Sequence, residues 1–238
     1  MGENNTIFWD FDGTLAYREG GWSGALLEAL EKEGIEHSFR RDDFKPYLGR
    51  GFPWHNPEKS HLHLSTAEKW WAVIKEIFIE AYTGLGISPD KAEKLAGLAR
   101  ISYVEPQSFR LYDDAIKTLR RLEKQNWKHV ILSNHVPELH QIIRGLGLES
   151  YLTGCISSAE AGFEKPHPEI FRIALLKANH PSQAWMVGDN IKADIKGANQ
   201  SGIPAILVHK KSREEVKYQA DSLSAAARII EKNSEIEF

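Results

Sequence analysis

Two aspartates close an apolar run near the start of the chain, Ile7-Phe8-Trp9-Asp10-Phe11-Asp12-Gly13-Thr14-Leu15. Their spacing pairs a nucleophile with a proton donor, and the chemistry this suggests is phosphoryl transfer. In a strand, residues two apart face the same way, so a strand running through Asp12 aims both carboxylates at one cleft. If the strand ends at Asp10, a turn at Gly13 brings Asp12 back over that cleft. A carboxylate meets a phosphate dianion with like charge, so the route needs cations nearby. Later segments offer the missing groups. Ile131-Leu132-Ser133-Asn134 ends a second apolar run on a hydroxyl, Glu164-Lys165-Pro166 brings an ammonium, and Met186-Val187-Gly188-Asp189-Asn190 through Asp194 brings further carboxylates for a metal.

The ordered set Asp10-x-Asp12-Gly13-Thr14, Ser133, Lys165-Pro166 and Gly188-Asp189-x4-Asp194 resembles the four motifs of the haloacid dehalogenase-like (HAD) hydrolase superfamily. The resemblance spans roughly residues 6 to 210. The gap between the first and second motifs resembles the helical cap of the subfamily that includes phosphoglycolate phosphatase and small sugar-phosphate phosphatases. It implies that Asp10 is the nucleophile and that Asp12 is first general acid and then general base. Ser133 and the Asn134 amide would hold a phosphoryl oxygen with Thr14, and Lys165 would offset charge between Asp10 and the phosphate. Magnesium favours oxygen ligands and commonly takes one or two carboxylates plus substrate phosphate. By resemblance its ligands are Asp10, Asp189 and the backbone carbonyl of Asp12, with Gly188, Asn190 and Asp194 in support. Asp194 orients Lys165 or a metal-bound water on this reading; the alternative is an ordinary carboxylate at a helix start.

These groups have to be carried by particular elements. Short apolar runs at 6–11, 129–133, 184–187 and 204–208 predict buried strands, with 154–157 a weaker fifth. Between them, residues 113–125, 136–146, 167–178 and 190–200 predict amphipathic helices. The alternation predicts an α/β fold, a doubly wound parallel sheet with helices on both faces. Such sheets bind ligands beyond the carboxyl ends of their strands, where Asp10, Ser133 and Asp189 fall. From Leu15 to about Pro106 the pattern changes to helices only, at 23–33, 66–82 and 89–100, with a loop-rich piece from Arg50 to His63. The expected division is a core of residues 1–15 and 107–238 and an inserted α-helical cap of residues 16–106. Trp70, Ile74, Ile77 and Ala81 recur at helical spacing and predict cap core rather than a substrate box. Ser222 or Ser224 is expected to cap a last helix running through Ile230, beyond which the chain should fray.

At 238 residues the chain can hold a core domain and a smaller insertion. A hydrophobic share of 42% and a formal charge of −3 predict no nucleic-acid partner. The single cysteine, Cys155, excludes an internal disulfide, and the Met1–Thr6 start lacks the features of a signal peptide. Met1-Gly2 resembles an N-myristoylation start, but Thr6 in a polar setting is a weak match with no second membrane signal. No apolar run reaches the roughly 20 residues that span a bilayer, so a cytoplasmic protein with no membrane partner is expected. The expected oligomeric state is a monomer or weak homodimer. His55, His61 and His63 lack the spacing of a zinc site.

The leading expectation is a magnesium-dependent phosphatase acting on a small phosphorylated metabolite. A dehalogenase of this fold would lack a second aspartate such as Asp12, since halide leaves without a proton. A phosphomutase shares the chemistry, and a non-catalytic binding module shares the fold alone. The four motifs touch only the phosphoryl group, so the leaving group must be read by the cap. Tyr17-Arg18-Glu19-Gly20-Gly21-Trp22 enters the cap beside the site, with a glycine pair that would permit a hinge. Arg18 is the first candidate for a substrate contact, followed by Arg50, Trp54 and His55.

Overall fold

The computed structural model describes residues 4–212 and 214–234. Met1-Gly2, which carries the acylation motif, and the last four residues, where fraying is expected, lie outside the described residues.

Among the described residues, six strands form the central sheet: β1 Asn5–Trp9, β4 Trp127–Ser133, β5 Gly154–Ser157, β6 Gln183–Gly188, β7 Ala205–Val208 and β8 Tyr218–Ala220. Their order is β5-β4-β1-β6-β7-β8, and all pairings are parallel. Parallel neighbours need crossovers that cover the sheet, so each strand is apolar on both faces. The side chains divide by parity. Ile7, Trp9, Ile131, Trp185, Val187, Ile206 and Val208 enter one core, while Phe8, Val130, Leu132, Met186, Ala205 and Leu207 enter the other. The helices α5 Ala115–Glu123, α6 Leu139–Gly145 and α10 Leu223–Ser234 add Leu119, Leu122, Ile142 and Ile230 to the first. From α8 Pro168–Lys177 and α9 Gly197–Gln200 come Ile170, Phe171 and Ala198 of the second. A one-turn helix, α7 Ser158–Ala161, follows β5. Ser222 accepts from the Ala225 amide ahead of α10, as expected of a cap.

The segment between the first two motif strands holds α1 Gly21–Lys32, α2 Arg41–Leu48, α3 Ala67–Gly84 and α4 Pro89–Val104. Trp70, Trp71, Ile74, Phe78 and Ala81 of α3 are buried, so the paired tryptophans pack inside this layer. It is not helical throughout. Ala16–Arg18 forms β2, which pairs antiparallel with β3 at Phe109–Leu111 and makes a ribbon at the base of the layer. The α2 helix was also not expected. It carries Pro46 and buries only Phe44, so its sequence shows little apolar periodicity. Across the layer, the Trp71 indole and the Arg100 guanidinium both donate to Glu138, just ahead of α6. No helix among the described residues is long and apolar enough to cross a membrane.

Two boundaries near the motifs also differ. β1 ends at Trp9, leaving Asp10 in the loop and Asp12 in the turn that follows, so the two carboxylates meet through the turn rather than along a continuous strand. The expected helix at 190–200 opens as a π-turn, Ile191–Lys196, before it becomes α9. Such wide turns recur at functional sites.

Candidate active site

Three strand ends build the cleft. β1 delivers Asp10, whose amide donates to the Val187 carbonyl of neighbouring β6, β4 ends on Ser133, and β6 leads into Asp189. The hydroxyl of Ser133 donates to Asp10 Oδ1 at 2.7 Å, and Lys165 Nζ donates to the same oxygen at 2.9 Å. Among the described residues, neither of these bonds reaches Asp10 Oδ2. Asn134 clasps the lysine backbone from both sides: its Oδ1 accepts from the Lys165 amide at 2.7 Å, and its Nδ2 donates to the Lys165 carbonyl at 2.9 Å. Behind the lysine, Asp194 accepts a second bond from Nζ and also accepts from the Asn190 amide at 2.9 Å. Both Asp194 oxygens are therefore engaged. It positions Lys165.

Asp12 enters by way of Gly13, whose φ of 82° is left-handed and suits glycine. A side chain there would also press on Asp189 Oδ2 at 2.5 Å. The bonds of this turn run from the Gly13 amide to Ala16 and from the Ala16 amide to Phe11, so the Asp12 carbonyl lies outside them. Asp12 keeps some exposed surface, yet it stands at the base of a crowded cleft. Burial, with Asp10 and then Asp189 adding like charge, pushes its carboxyl up to about 7. The Tyr103 hydroxyl approaches Asp12 Oδ2 at 3.4 Å. Asp189 is also pushed upward, by burial first and by Asp10 next, against the pull of Lys210, whose Nζ lies 2.6 Å from its Oδ2.

Asp10, Asp189 and Asp194 each place one oxygen within 4.8 Å of the others. Asp194 is spent on Lys165, so of this cluster Asp10 and Asp189 are left for a cation. Both offer hard oxygens, the kind that suits magnesium.

The cleft encloses about 310 Å³ and brings together Asp10, Asp12, Ser133, Asn134, Lys165, Asp189, Asn190, Asp194 and Trp54 of the residues expected there. Gly188 stands behind it, where only a hydrogen leaves room for the Asp194 carboxylate. Thr14 is fully buried and lies outside the cleft. Its place in the turn, its amide on the Phe11 carbonyl, turns it into the interior rather than toward a phosphate. Arg18 is not a cleft residue either. Its guanidinium is buried and donates to Glu28 at 2.6 Å, to the Gly21 carbonyl at 2.9 Å and to the Ser102 carbonyl at 3.3 Å. Arg50 is exposed and paired with Glu80, and the exposed His55 ring packs edge-on against Phe52. Neither lines the cleft.

Trp22, Pro57, Tyr103, His135 and Lys192 also line the cleft; of these only Trp22 belongs to a segment expected beside the site. Position in the chain would have found His135, next to Asn134, and Lys192, just past Asp189. Nothing local marks Tyr103; its arrival depends on how α4 docks. The His135 ring is buried edge-on against Phe11, and among the described residues neither nitrogen finds a hydrogen bond of ordinary geometry. Burial pushes it down to about 4 despite the nearby Asp10 charge and Val136 backbone.

Comparison with known proteins gives the family. A phosphoserine phosphatase of Thermus thermophilus is 32% identical over 213 residues, which cover 81% of this chain and 84% of that protein. A ribulose-1,5-bisphosphate 5-phosphatase of Halopiger xanaduensis is 32% identical over a shorter stretch, 60% of this chain and 59% of its own length. The crystal structure of YfnB from Bacillus subtilis, solved bound to magnesium, superposes with a TM-score of 0.76 at 20% identity, covering 97% of this chain and all of that one. With residues 5–202 matching the haloacid dehalogenase-like hydrolase family as a whole, the chain belongs to that family.

Proposed function

We propose that this hydrolase is a magnesium-dependent phosphatase of small phosphate monoesters that works through an aspartyl-phosphate on Asp10. The observation that carries this reading is the division of labour at Asp10: one oxygen is held by Ser133 and Lys165, and these bonds leave the other to attack. Phosphatases among the relatives, and the magnesium bound by YfnB, support it. The Asp10 and Asp189 carboxylates with the Asp12 carbonyl would hold magnesium, which when bound supplies positive charge against the phosphoryl oxygens.

The chain's own groups do the rest. Lys165 and Ser133 offset the charge that Asp10 and the phosphate share, which lowers the cost of bringing them together. Asp12, pushed up to about 7, can hold a proton near neutrality and give it to the departing alkoxide. Once ionised, it can take a proton from the water that attacks the phosphoenzyme. The same residue thus serves both halves of the reaction, and its presence separates this site from dehalogenase chemistry.

Asp10→Asn keeps the shape of the side chain and removes its nucleophilicity. Turnover of phosphate esters should vanish with the fold intact by circular dichroism, and trapping by beryllofluoride should be lost. Since removal of a nucleophile usually costs far more, activity above about a hundredth of wild type would count against covalent catalysis. Chelation should abolish turnover and magnesium should restore it.

A further inference from the structure

The cleft has two chemically different walls. Its charged side chains, Asp10, Asp12, Lys165, Asp189, Lys192 and Asp194, all come from the sheet domain. Among the described residues, the helical layer contributes Trp22, Trp54, Pro57 and Tyr103. The Tyr103 hydroxyl is directed at Asp12, and its ring stacks on Trp22 with centroids 3.6 Å apart and planes within 3°. Trp54 stacks in turn on Phe52 at 4.6 Å. No described lysine or arginine of this layer lines the cleft, and three of its arginines are paired away from it, Arg18 with Glu28, Arg50 with Glu80 and Arg100 with Glu138.

Resting on the phosphatase reading, we propose that the organic part of the substrate is apolar, a single aromatic ring or a group of like size, seated against Trp22, Trp54 and Pro57. An ester held by its phosphate at Asp10 must reach toward this wall. There an ammonium, a carboxylate or a row of hydroxyls would give up water and find no charged or amide partner from the helical layer, an unfavourable exchange. An apolar ring loses nothing and gains stacking. The volume of about 310 Å³ lies at the small end of ligand pockets, which fits one ring rather than a nucleotide or a sugar bisphosphate. This points away from phosphoserine and from sugar phosphates, the substrates in the names of the relatives.

Benzyl phosphate and glycerol phosphate both release alcohols of similar acidity, so the ratio of their kcat/KM reports binding of the leaving group rather than its chemistry. The ratio should exceed about ten in favour of benzyl phosphate, the size of one stacking contact, and should be as large against phosphoserine. Trp54→Ala should cut the ratio about tenfold. A wild-type ratio at or below one, or a ratio unmoved by Trp54→Ala, overturns the proposal. Quenching of tryptophan fluorescence by benzylphosphonate, set against 2-hydroxyethylphosphonate, reads the subsite without turnover. Selective binding of benzylphosphonate without hydrolysis of any ester would keep the subsite and sink the phosphatase; hydrolysis of all three esters alike would do the reverse.

Discussion

A carboxylate that is to attack phosphate must not be repelled by it, and for Asp10 the offsetting charge comes from a lysine that is itself buried. Burial alone would push Lys165 down, but Asp10 and Asp194 on either side outweigh it and hold the ammonium charged. Asp194 is thus a positioning residue whose effect reaches Asp10 through Lys165. Its own position depends on the absence of a side chain at Gly188, because a methyl group there would occupy the space of the Asp194 carboxylate. Gly188→Ala should therefore displace Asp194 and, with it, Lys165. Misplacement by about an ångström costs on the order of a hundredfold in rate, so kcat should fall by about that factor while circular dichroism stays unchanged. Wild-type turnover in a folded Gly188→Ala protein would show that the Asp194–Lys165 pair tolerates movement.

At the scale of elements, the β2–β3 ribbon, the start of α1 and the end of α4 are joined through Arg18, which bonds to the Gly21 and Ser102 carbonyls and to Glu28 and sits 5.5 Å from the Tyr103 ring centre. Arg18→Ala strips these partners at once. Glu28 keeps 38% of its side chain in water and can rehydrate, so the expected loss is about 2 kcal/mol, below that of a fully buried pair. A shift of the urea midpoint with an unchanged ranking of substrates is the expected result; a changed ranking with unchanged stability would return Arg18 to substrate recognition. The sequence displays an arginine beside the first motif but not the carbonyls that consume it, since those come from Gly21 and Ser102, the latter 84 positions away. The same distinction decides which elements were legible. β1, β4, β6 and β7 stand out as apolar runs because parallel strands are buried on both faces, whereas β2, β3 and β8 have three residues each, too few for any period. Asp10, Ser133 and Asp189 are readable because the chain places them at the ends of such runs. Tyr103 belongs to a helix whose apolar residues all look alike until the layer docks.

Across the whole molecule, the sensitivity of the fold to acid should rest in large part on His129, which is buried in the sheet. It lies in β4 on the face of Trp9 and Ile131, 1% exposed, accepting from the Trp9 indole at Nδ1 over 3.1 Å while its Nε2 reaches the Leu119 carbonyl of α5 at 3.0 Å. These two bonds fix a neutral ring with its proton on Nε2. A second proton would break the indole bond and place a charge in the core, so burial pushes the imidazole down from 6.5 to about 4. The unfolded chain takes up that proton at ordinary pH and the folded chain does not, so stability is fully present above about pH 6.5 and is lost as pH falls toward about 4. At about pH 4.5 the loss from this one group should be roughly 2–3 kcal/mol. His135, also pushed down to about 4, adds a loss of the same sign. His129→Gln can keep an acceptor for Trp9 and a donor for Leu119 without titrating. Urea unfolding near pH 7.5 and near pH 4.5 should show the wild type losing roughly 2–3 kcal/mol more than His129→Gln across that interval, whatever the variant costs at neutral pH. Equal losses in the two proteins would mean that His129 is not the group that carries the acid sensitivity of the fold.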